Sequence, residues 1–326
     1  MSSRRLAAYV EQRGPADSIR IGRLPVPELG PDDVLVAVTA VSVNPVDTYV
    51  RSGRYDTPIP LPFIVGRDLV GTVAAIGSAV RELAEGDAVW ANSLGHAGRQ
   101  GAATELAVVP RERLYRLPEG VDPEVVVAVA HPAVTAYLGW FLRARIRPGW
   151  TVFVGGGAGN VGISAIEMAR FAGARVLASA RDSHRDRCRA AGADAVVDYR
   201  SPDLARLIGA AAPDGVDVYW DTSGTNDTDV AAAVLKPGGR MLVTAARTPV
   251  TVALAPLYTH DVTIDGFVIS RASATEFAQA ADLINAMLAA GALTTRITRR
   301  LPLDRAAEAH RLLEAGEVDG RMLLTI

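Results

Sequence analysis

Gly157-Ala158-Gly159-Asn160-Val161-Gly162 has chemistry written into its spacing. It follows the β-branched, apolar run Trp150–Val154. A helical pattern comes next, with Val161, Ala165, Met168 and Ala169 on one face and Gly173 as the stop. Glycine serves three purposes in such a stretch: a tight turn, close approach of backbone to a pyrophosphate, and close packing of helix on strand. The helix start then offers N–H groups and partial positive charge to phosphate oxygens. A strand before, a helix after and a second strand, Arg175–Ser179, about 20 residues on supply the context that a bare glycine motif lacks. The stretch predicts a dinucleotide site.

The end of that second strand reads Ser179-Ala180-Arg181-Asp182. An acid there would bind a ribose 2′-hydroxyl, whereas an arginine would hold a 2′-phosphate. Asp182 has acceptable spacing for the first, and Arg181 with Arg185 for the second. Arg181 lies nearer the strand end, so the reading favours NADPH and leaves NADH open. Two further strand ends, Asp221-Thr222-Ser223-Gly224 after Val216–Trp220 and Thr244-Ala245-Ala246 after Arg240–Val243, lie where open parallel sheets bind ligands.

These residues need a parallel sheet to carry them. Expected strands are Thr151–Val154, Arg175–Ser179, Ala195–Val197, Val216–Trp220, Arg240–Val243 and Val262–Val268. They alternate with helices at Ala133–Arg143, Val161–Phe171, His184–Ala191, Ser201–Gly209, Asp227–Val234 and Ala274–Ala290. A helix at Leu303–Ala315 and a strand at Arg321–Ile326 follow. Upstream the texture differs: short apolar runs such as Val34–Val38, Leu69–Val73 and Ala88–Trp90 are broken by Pro and Gly, which predicts a β-rich domain. The expected organisation is an α/β chain with two domains. Residues 1–125, completed by 291–326, form the β-rich domain, and residues 126–290 form the doubly wound dinucleotide-binding domain.

Bulk properties exclude several classes. The chain has 326 residues, 49% hydrophobic and 21% charged, with a formal net charge of −2, so neither nucleic-acid nor membrane binding is expected. No apolar run approaches the roughly 18 residues of a membrane span. Met1–Arg5 lead straight into the strand-like Leu6–Val10 without the apolar core of a secretory signal, so the cytoplasm is the expected compartment. A single cysteine, Cys188, excludes an internal disulfide and a multi-cysteine metal site. It lies among Arg185, Arg187 and Arg189, which could lower its pKa, although an ordinary thiol on a surface helix is the simpler expectation.

The chain resembles the medium-chain dehydrogenase/reductase superfamily, and within it the zinc-free quinone oxidoreductases (zeta-crystallin-like proteins). The carriers are Asn44-Pro45-Val46-Asp47-Thr48-Tyr49-Val50-Arg51-Ser52-Gly53-Arg54-Tyr55, Pro62–Gly71, Pro132–Tyr137, the glycine motif, Ala191-Gly192-Ala193-Asp194 and Gly238-Gly239-Arg240. The resemblance implies a Rossmann domain and a GroES-like catalytic domain. Where zinc alcohol dehydrogenases carry a cysteine and Gly-His-Glu, this chain has Asn44 and Gly66-Arg67-Asp68. His96, His131, His184, His260 and His310 are scattered, with no i, i+4 pair, so no metal is expected.

Further roles come from the resemblance alone. Asn44, Tyr49, Tyr55 and Thr135 are implied as catalytic-site residues. Asn44 would hydrogen-bond the nicotinamide side or a water, either tyrosine could donate a proton, and Thr135 would sit near the nicotinamide or cap a helix. Tyr199 is implied beside the adenosine and Phe267-Val268-Ile269 beside the nicotinamide carboxamide, and Arg321 is grouped with the cofactor contacts. The implied activity is NADPH-dependent hydride transfer to a quinone or activated alkene. A reductase of enones or enoyl thioesters is the alternative, with Arg51, Arg54 and Arg67 as a basic rim for a thioester carrier. A low-turnover NADPH-binding structural or RNA-binding protein is the other. His131, before Pro132, has no Ser/Asp arrangement around it in sequence and reads as packing. Relatives pair through their edge strands, so Val262–Val268, alternating and polar at Thr263 and Asp265, predicts a homodimer.

Overall fold

The computed structural model describes residues 4–326; the first three lie outside the described residues. The described residues divide into two compact units, one comprising residues 4–131, 273–290 and 295–326, the other 132–272 and 291–294.

The first unit holds β1 (Arg4–Val10), β2 (Arg20–Pro25), β3 (Asp33–Ser42), α1 (Pro45–Ser52), β4 (Phe63–Ile64), β5 (Asp68–Ile76), β6 (Ala88–Ala91), β7 (Leu106–Pro110) and β8 (Leu114–Arg116). Helix α2 (Pro123–Tyr137) contains the division between units, at His131/Pro132. A seven-stranded sheet runs β15-β16-β3-β5-β6-β8 with β7 on β3, where β15 is Ile297–Pro302 and β16 is Arg321–Thr325. A small sheet runs β2-β1-β4. The alternating burial of β3 turns Val34, Val36 and Val38 into a core with Leu69, Val89 and Leu324, as period-two patterning demands.

The second unit carries β9 (Thr151–Gly155), α3 (Asn160–Phe171), β10 (Arg175–Ser179), α4 (Arg185–Ala190), β11 (Ala195–Val197), α5 (Leu204–Ala211), β12 (Val216–Asp221), α6 (Thr228–Val234), β13 (Leu235–Val243), α7 (Leu254–Thr259) and β14 (Thr263–Gly266). Its six strands are all parallel and ordered β11-β10-β9-β12-β13-β14. The order reverses between β9 and β12, the switch point where such sheets bind dinucleotides.

Helices α8 (Ala274–Ala289) and α9 (Ala306–Glu314) both belong to the first unit. The sequence reading put residues 274–290 with the dinucleotide domain. Instead Trp90 Nε1 donates to Asn285 Oδ1 at 3.1 Å and Asn285 Nδ2 to the Arg116 carbonyl at 3.0 Å, tying α8 to β6 and β8. Helix α2 starts at Pro123 rather than Ala133 and passes into a π-helix, Leu138–Ala144. This stretch, Pro123–Ala144, is long and apolar enough to span a bilayer by composition, which the sequence reading overlooked. With 72% of its most apolar window buried, it is a core helix.

Candidate functional site

Strand β9 ends at Gly155, and the chain turns through Gly156–Gly159 into α3, whose N-cap is Gly159 with no side chain capping it. The first N–H groups of a helix have no intrahelical partner, so an uncapped start presents donors. Two glycines are dictated by contact. A Cβ at Gly157 would lie 2.9 Å from Ala178 Cβ, and one at Gly162 would lie 2.3 Å from the Gly156 carbonyl oxygen. The helix can approach the turn only without those side chains. The cradle therefore fits a dinucleotide pyrophosphate, at Gly157, Ala158, Gly159, Asn160, Val161 and Gly162.

Ser179, expected among the cofactor contacts, is buried. Its Oγ accepts from Gly156 N at 3.3 Å and its carbonyl from Gly157 N at 2.8 Å, so it shapes the turn from β10. Arg181 and Tyr199 come together: Arg181 Nε donates to the Tyr199 phenol at 2.9 Å, with Tyr199 exposed. Arg185 is directed elsewhere, donating to the Val196 carbonyl at 2.9 Å and to Asp182 Oδ1 at 2.7 Å. That ion pair also occupies Asp182, the acid that could have selected a ribose hydroxyl. Cys188 is neither a surface thiol nor an activated one: it is buried, and desolvation pushes its pKa up to about 11.

The other strand ends form one hydrogen-bonded edge. Thr222 Oγ1 donates to the Gly155 carbonyl at 2.8 Å, tying β12 to β9. Asp221 accepts from the N–H groups of Ser223 and Asn226 at 2.8 and 2.7 Å. Asn226 Nδ2 reaches the Ala245 carbonyl at 2.6 Å, and Arg247 N the Gly224 carbonyl at 3.0 Å, so Thr222–Gly224 and Thr244–Ala246 are held side by side. Asn226 and Arg247 escaped the sequence reading; an Asn five residues after Asp221 at the strand end was the available signal. Trp220 Nε1 donates to Thr244 Oγ1 at 3.2 Å while its ring lies 5.8 Å from Phe267 and 5.0 Å from Trp140, which sets the segment Phe267-Val268-Ile269 after β14. Thr135 is buried near the C-terminal end of α2, where the chain runs on into the π-helix, and so caps no helix N-terminus.

In the first unit the implied residues surround α1. Asn44 is fully buried and spends its amide internally, contrary to a direct ligand contact: Nδ2 donates to Asp68 Oδ2 at 2.8 Å and Ser42 Oγ at 3.2 Å, and Oδ1 accepts from Arg321 Nη2 at 2.9 Å. Arg321, assigned to the cofactor, is buried there by that bond. Asp68 also accepts from Asn92 Nδ2 at 2.8 Å, and His131 Nδ1 stands 4.0 Å from it. Burial pulls the His131 pKa down to about 4 and pushes that of Asp47 up to about 7, with Asp68 adding to the second shift. Arg67 is buried and donates to Ser93 Oγ at 2.6 Å. Arg51 is also buried, bound to Glu314, so only Arg54 of the expected basic rim is exposed. Tyr49 is exposed beneath the Arg54 guanidinium, 4.7 Å from its ring centroid, and Tyr55 is half-buried against His96. Among the described residues, no three His, Cys, Asp or Glu side chains cluster as a metal site would require.

A parallel sheet with a reversed strand order, a glycine turn closing on a bare helix start and a separate β-rich unit define an oxidoreductase that takes a nicotinamide cofactor. Residues 30–119 match the alcohol dehydrogenase GroES-like domain and residues 160–286 the zinc-binding dehydrogenase domain. The quinone oxidoreductase of Mus musculus is 30% identical over 308 residues, 93% of this chain and 91% of that protein. The chloroplastic NADPH-dependent alkenal/one oxidoreductase of Arabidopsis thaliana is 30% identical over 309 residues, 92% of this chain and 73% of that one. Mycobacterial Rv1454c complexed with NADPH superposes with a TM-score of 0.85 at 28% identity, covering 99% of this chain and 100% of its own. The chain belongs to the quinone oxidoreductase-like branch of the medium-chain dehydrogenase/reductase superfamily.

Proposed function

We propose that this protein is an NADPH-dependent, zinc-independent reductase of quinones, with activated alkenes as the second acceptor class. One observation carries the reading. Asn44 and Gly66-Arg67-Asp68 stand where the resemblance sets a cysteine and Gly-His-Glu in zinc alcohol dehydrogenases, and Asn44 and Asp68 are bound to each other, to Ser42, Asn92 and Arg321. A carboxamide so engaged, with guanidinium groups beside it, offers a cation no coordination shell.

When bound, reduced nicotinamide supplies a hydride. The chain's share is binding and orientation. The Gly156–Gly159 turn and the start of α3 take the pyrophosphate, and Arg181 with Tyr199 takes a 2′-phosphate, which favours NADPH over NADH. The backbone of Phe267–Ile269 and the Thr135 side chain would hold the nicotinamide. Asn44 and Arg321 act from the interior by holding the start of α1, while Tyr49 and Tyr55 on that segment meet the acceptor. Quinones and enones suit such a site because charge delocalises away from the attacked carbon and hydrogen bonds suffice to hold the developing oxyanion. A single exposed arginine at the rim favours a small neutral acceptor over a thioester carrier.

The test is NADPH oxidation, followed by its absorbance, with 1,4-benzoquinone and with an α,β-unsaturated ketone, each with and without chelator. Turnover indifferent to chelator is expected. Saturable NADPH binding without turnover would favour the structural or RNA-binding alternative, and activity lost to chelator and restored by zinc would sink the metal-free mechanism. We also propose a homodimer through β14, the sheet's edge. Ile264 on it is 44% exposed, and Leu254 and Tyr258 of the neighbouring α7 are 68% and 73% exposed. Light scattering that gives a monomer at micromolar concentration would contradict this.

A further inference from the structure

We infer that Arg247 is a second phosphate-binding residue of the cofactor site, its guanidinium holding the dinucleotide pyrophosphate alongside the start of α3. The inference rests on the nicotinamide-cofactor reading above. It adds a full side-chain charge to a cradle otherwise made of backbone N–H groups.

The end of β12 lies directly against the glycine turn. A Cβ at Gly156 would stand 3.1 Å from Ser223 N, Ser223 Cβ and Thr222 Oγ1. Ser223 in turn holds the arginine: its carbonyl accepts from Arg247 Nε at 2.8 Å, while Arg247 N donates to the Gly224 carbonyl at 3.0 Å. The arginine stem packs on Gly224, where a Cβ would lie 3.3 Å from Arg247 Cγ. Ser223 is therefore the residue that links the phosphate turn to the guanidinium. All of these residues belong to the second unit.

Arg247 is exposed, and among the described residues no carboxylate pairs with it. Asp221, the acid at the same strand end, is buried, and its two oxygens already accept from the N–H groups of Ser223 and Asn226. Arg185, Arg200 and Arg206 differ, since they turn onto Asp182, Asp198 and Asp203. A guanidinium tethered through Nε keeps both Nη groups as a planar fork, which matches the oxygens of a phosphate. The tether also restricts a long side chain before any ligand arrives, so less rotamer freedom is lost on binding.

The charges call for such a partner. The glycine turn and the helix start offer partial positive charge, whereas a pyrophosphate brings full negative charges. A guanidinium beside the turn answers one of them and acts on cofactor affinity. It does not sense the 2′-phosphate, which separates its role from that of Arg181.

The experiment titrates the full chain with NADPH and NADH, followed by nucleotide fluorescence, and with adenosine 2′-monophosphate, followed by calorimetry. Arg247→Gln should weaken NADPH and NADH by the same factor, about ten- to a hundredfold, the worth of a charge-assisted hydrogen bond. Adenosine 2′-monophosphate has no pyrophosphate and should bind as it does to wild type. Arg247→Lys keeps the charge without the fork and should recover part of the loss. Unchanged affinity for both dinucleotides would overturn the inference. Equal loss of adenosine 2′-monophosphate would also overturn it, by assigning Arg247 to holding the loop. If cofactor affinity holds and only KM for 1,2-naphthoquinone-4-sulfonate rises, the oxyanion belongs to the acceptor and the inference again fails. Inorganic pyrophosphate, followed by phosphorus NMR, tests the arginine apart from the reaction. If wild type binds it and Arg247→Gln does not, in a protein that reduces neither quinone nor enone, the phosphate contact stands and the reductase reading falls.

Discussion

Arg181 Nε donates to the Tyr199 phenol at 2.9 Å, joining the end of β10 to the segment after β11 and holding an exposed guanidinium in one place. A 2′-phosphate there would gain a charge-assisted bond of about 1.5–3 kcal/mol. Arg181→Ala should therefore raise KM for NADPH by about ten- to a hundredfold and leave KM for NADH nearly unchanged. Tyr199→Phe should shift it less. Equal weakening toward both cofactors would show that Arg181 serves the turn and not the phosphate.

Gly162 tests the cradle. A Cβ there would sit 2.3 Å from the Gly156 carbonyl oxygen, so Gly162→Ala should push α3 off the turn and abolish the rise in NADPH fluorescence on binding. Gly209→Ala, in α5 with nothing within 4 Å of the added carbon, is the control. It should bind NADPH normally and gain about 0.5–1 kcal/mol of stability. Normal NADPH binding by Gly162→Ala would remove the pyrophosphate from this turn.

Asp68 is the negative centre of the buried cluster around Asn44. Asp68→Ala strips acceptors from Ser42, Asn44 and Asn92 and leaves Arg67 and Arg321 with less compensating charge. Breaking a buried charge cluster from one side costs about 3–5 kcal/mol, measurable by urea unfolding. A loss below about 1 kcal/mol would mean that water replaces the carboxylate.

Glu167 on α3 accepts from Thr294 N and Thr294 Oγ1, yet burial still raises its pKa to about 7. The unfolded carboxyl releases its proton near pH 4.5, whereas the folded one keeps it until about 7. Its contribution is thus fullest below pH 4.5 and declines as pH rises to 7, by about 3 kcal/mol. His131 acts with the opposite sign: its pKa of about 4 lies below the ordinary 6.5, so stability falls as pH drops through that window. Denaturation of wild type and Glu167→Gln from pH 4.5 to 8 separates the two, since the difference between the curves should grow with pH. Parallel curves would place the ordinary carboxylate pKa at Glu167.

The glycine spacing, the alternation of strand and helix, and residues at strand ends were legible because each depends on near neighbours in the chain. Three glycines in six residues and a strand on either side force one local geometry. Roles that depend on distant partners were not legible. Nothing near Asn44 in sequence says that Arg321 will cap its oxygen, or that Asp68 and Asn92 will share its cluster. Helix α8 was misplaced because its helical pattern is the same whichever unit it packs on; only Trp90 and Arg116 decide that.

By itself the amino-acid order determined a parallel α/β sheet, a glycine turn between its first strand and helix, and a β-rich domain before it. Those properties follow from backbone geometry and side-chain type. Tertiary structure alone decided which polar residues are spent on one another and which are left at the surface: Asn44, Arg51, Arg67 and Arg321 went inside, Tyr49 and Arg181 stayed out. A buried polar group must find its partner wherever the chain brings one, and that pairing spans up to 277 positions between Asn44 and Arg321.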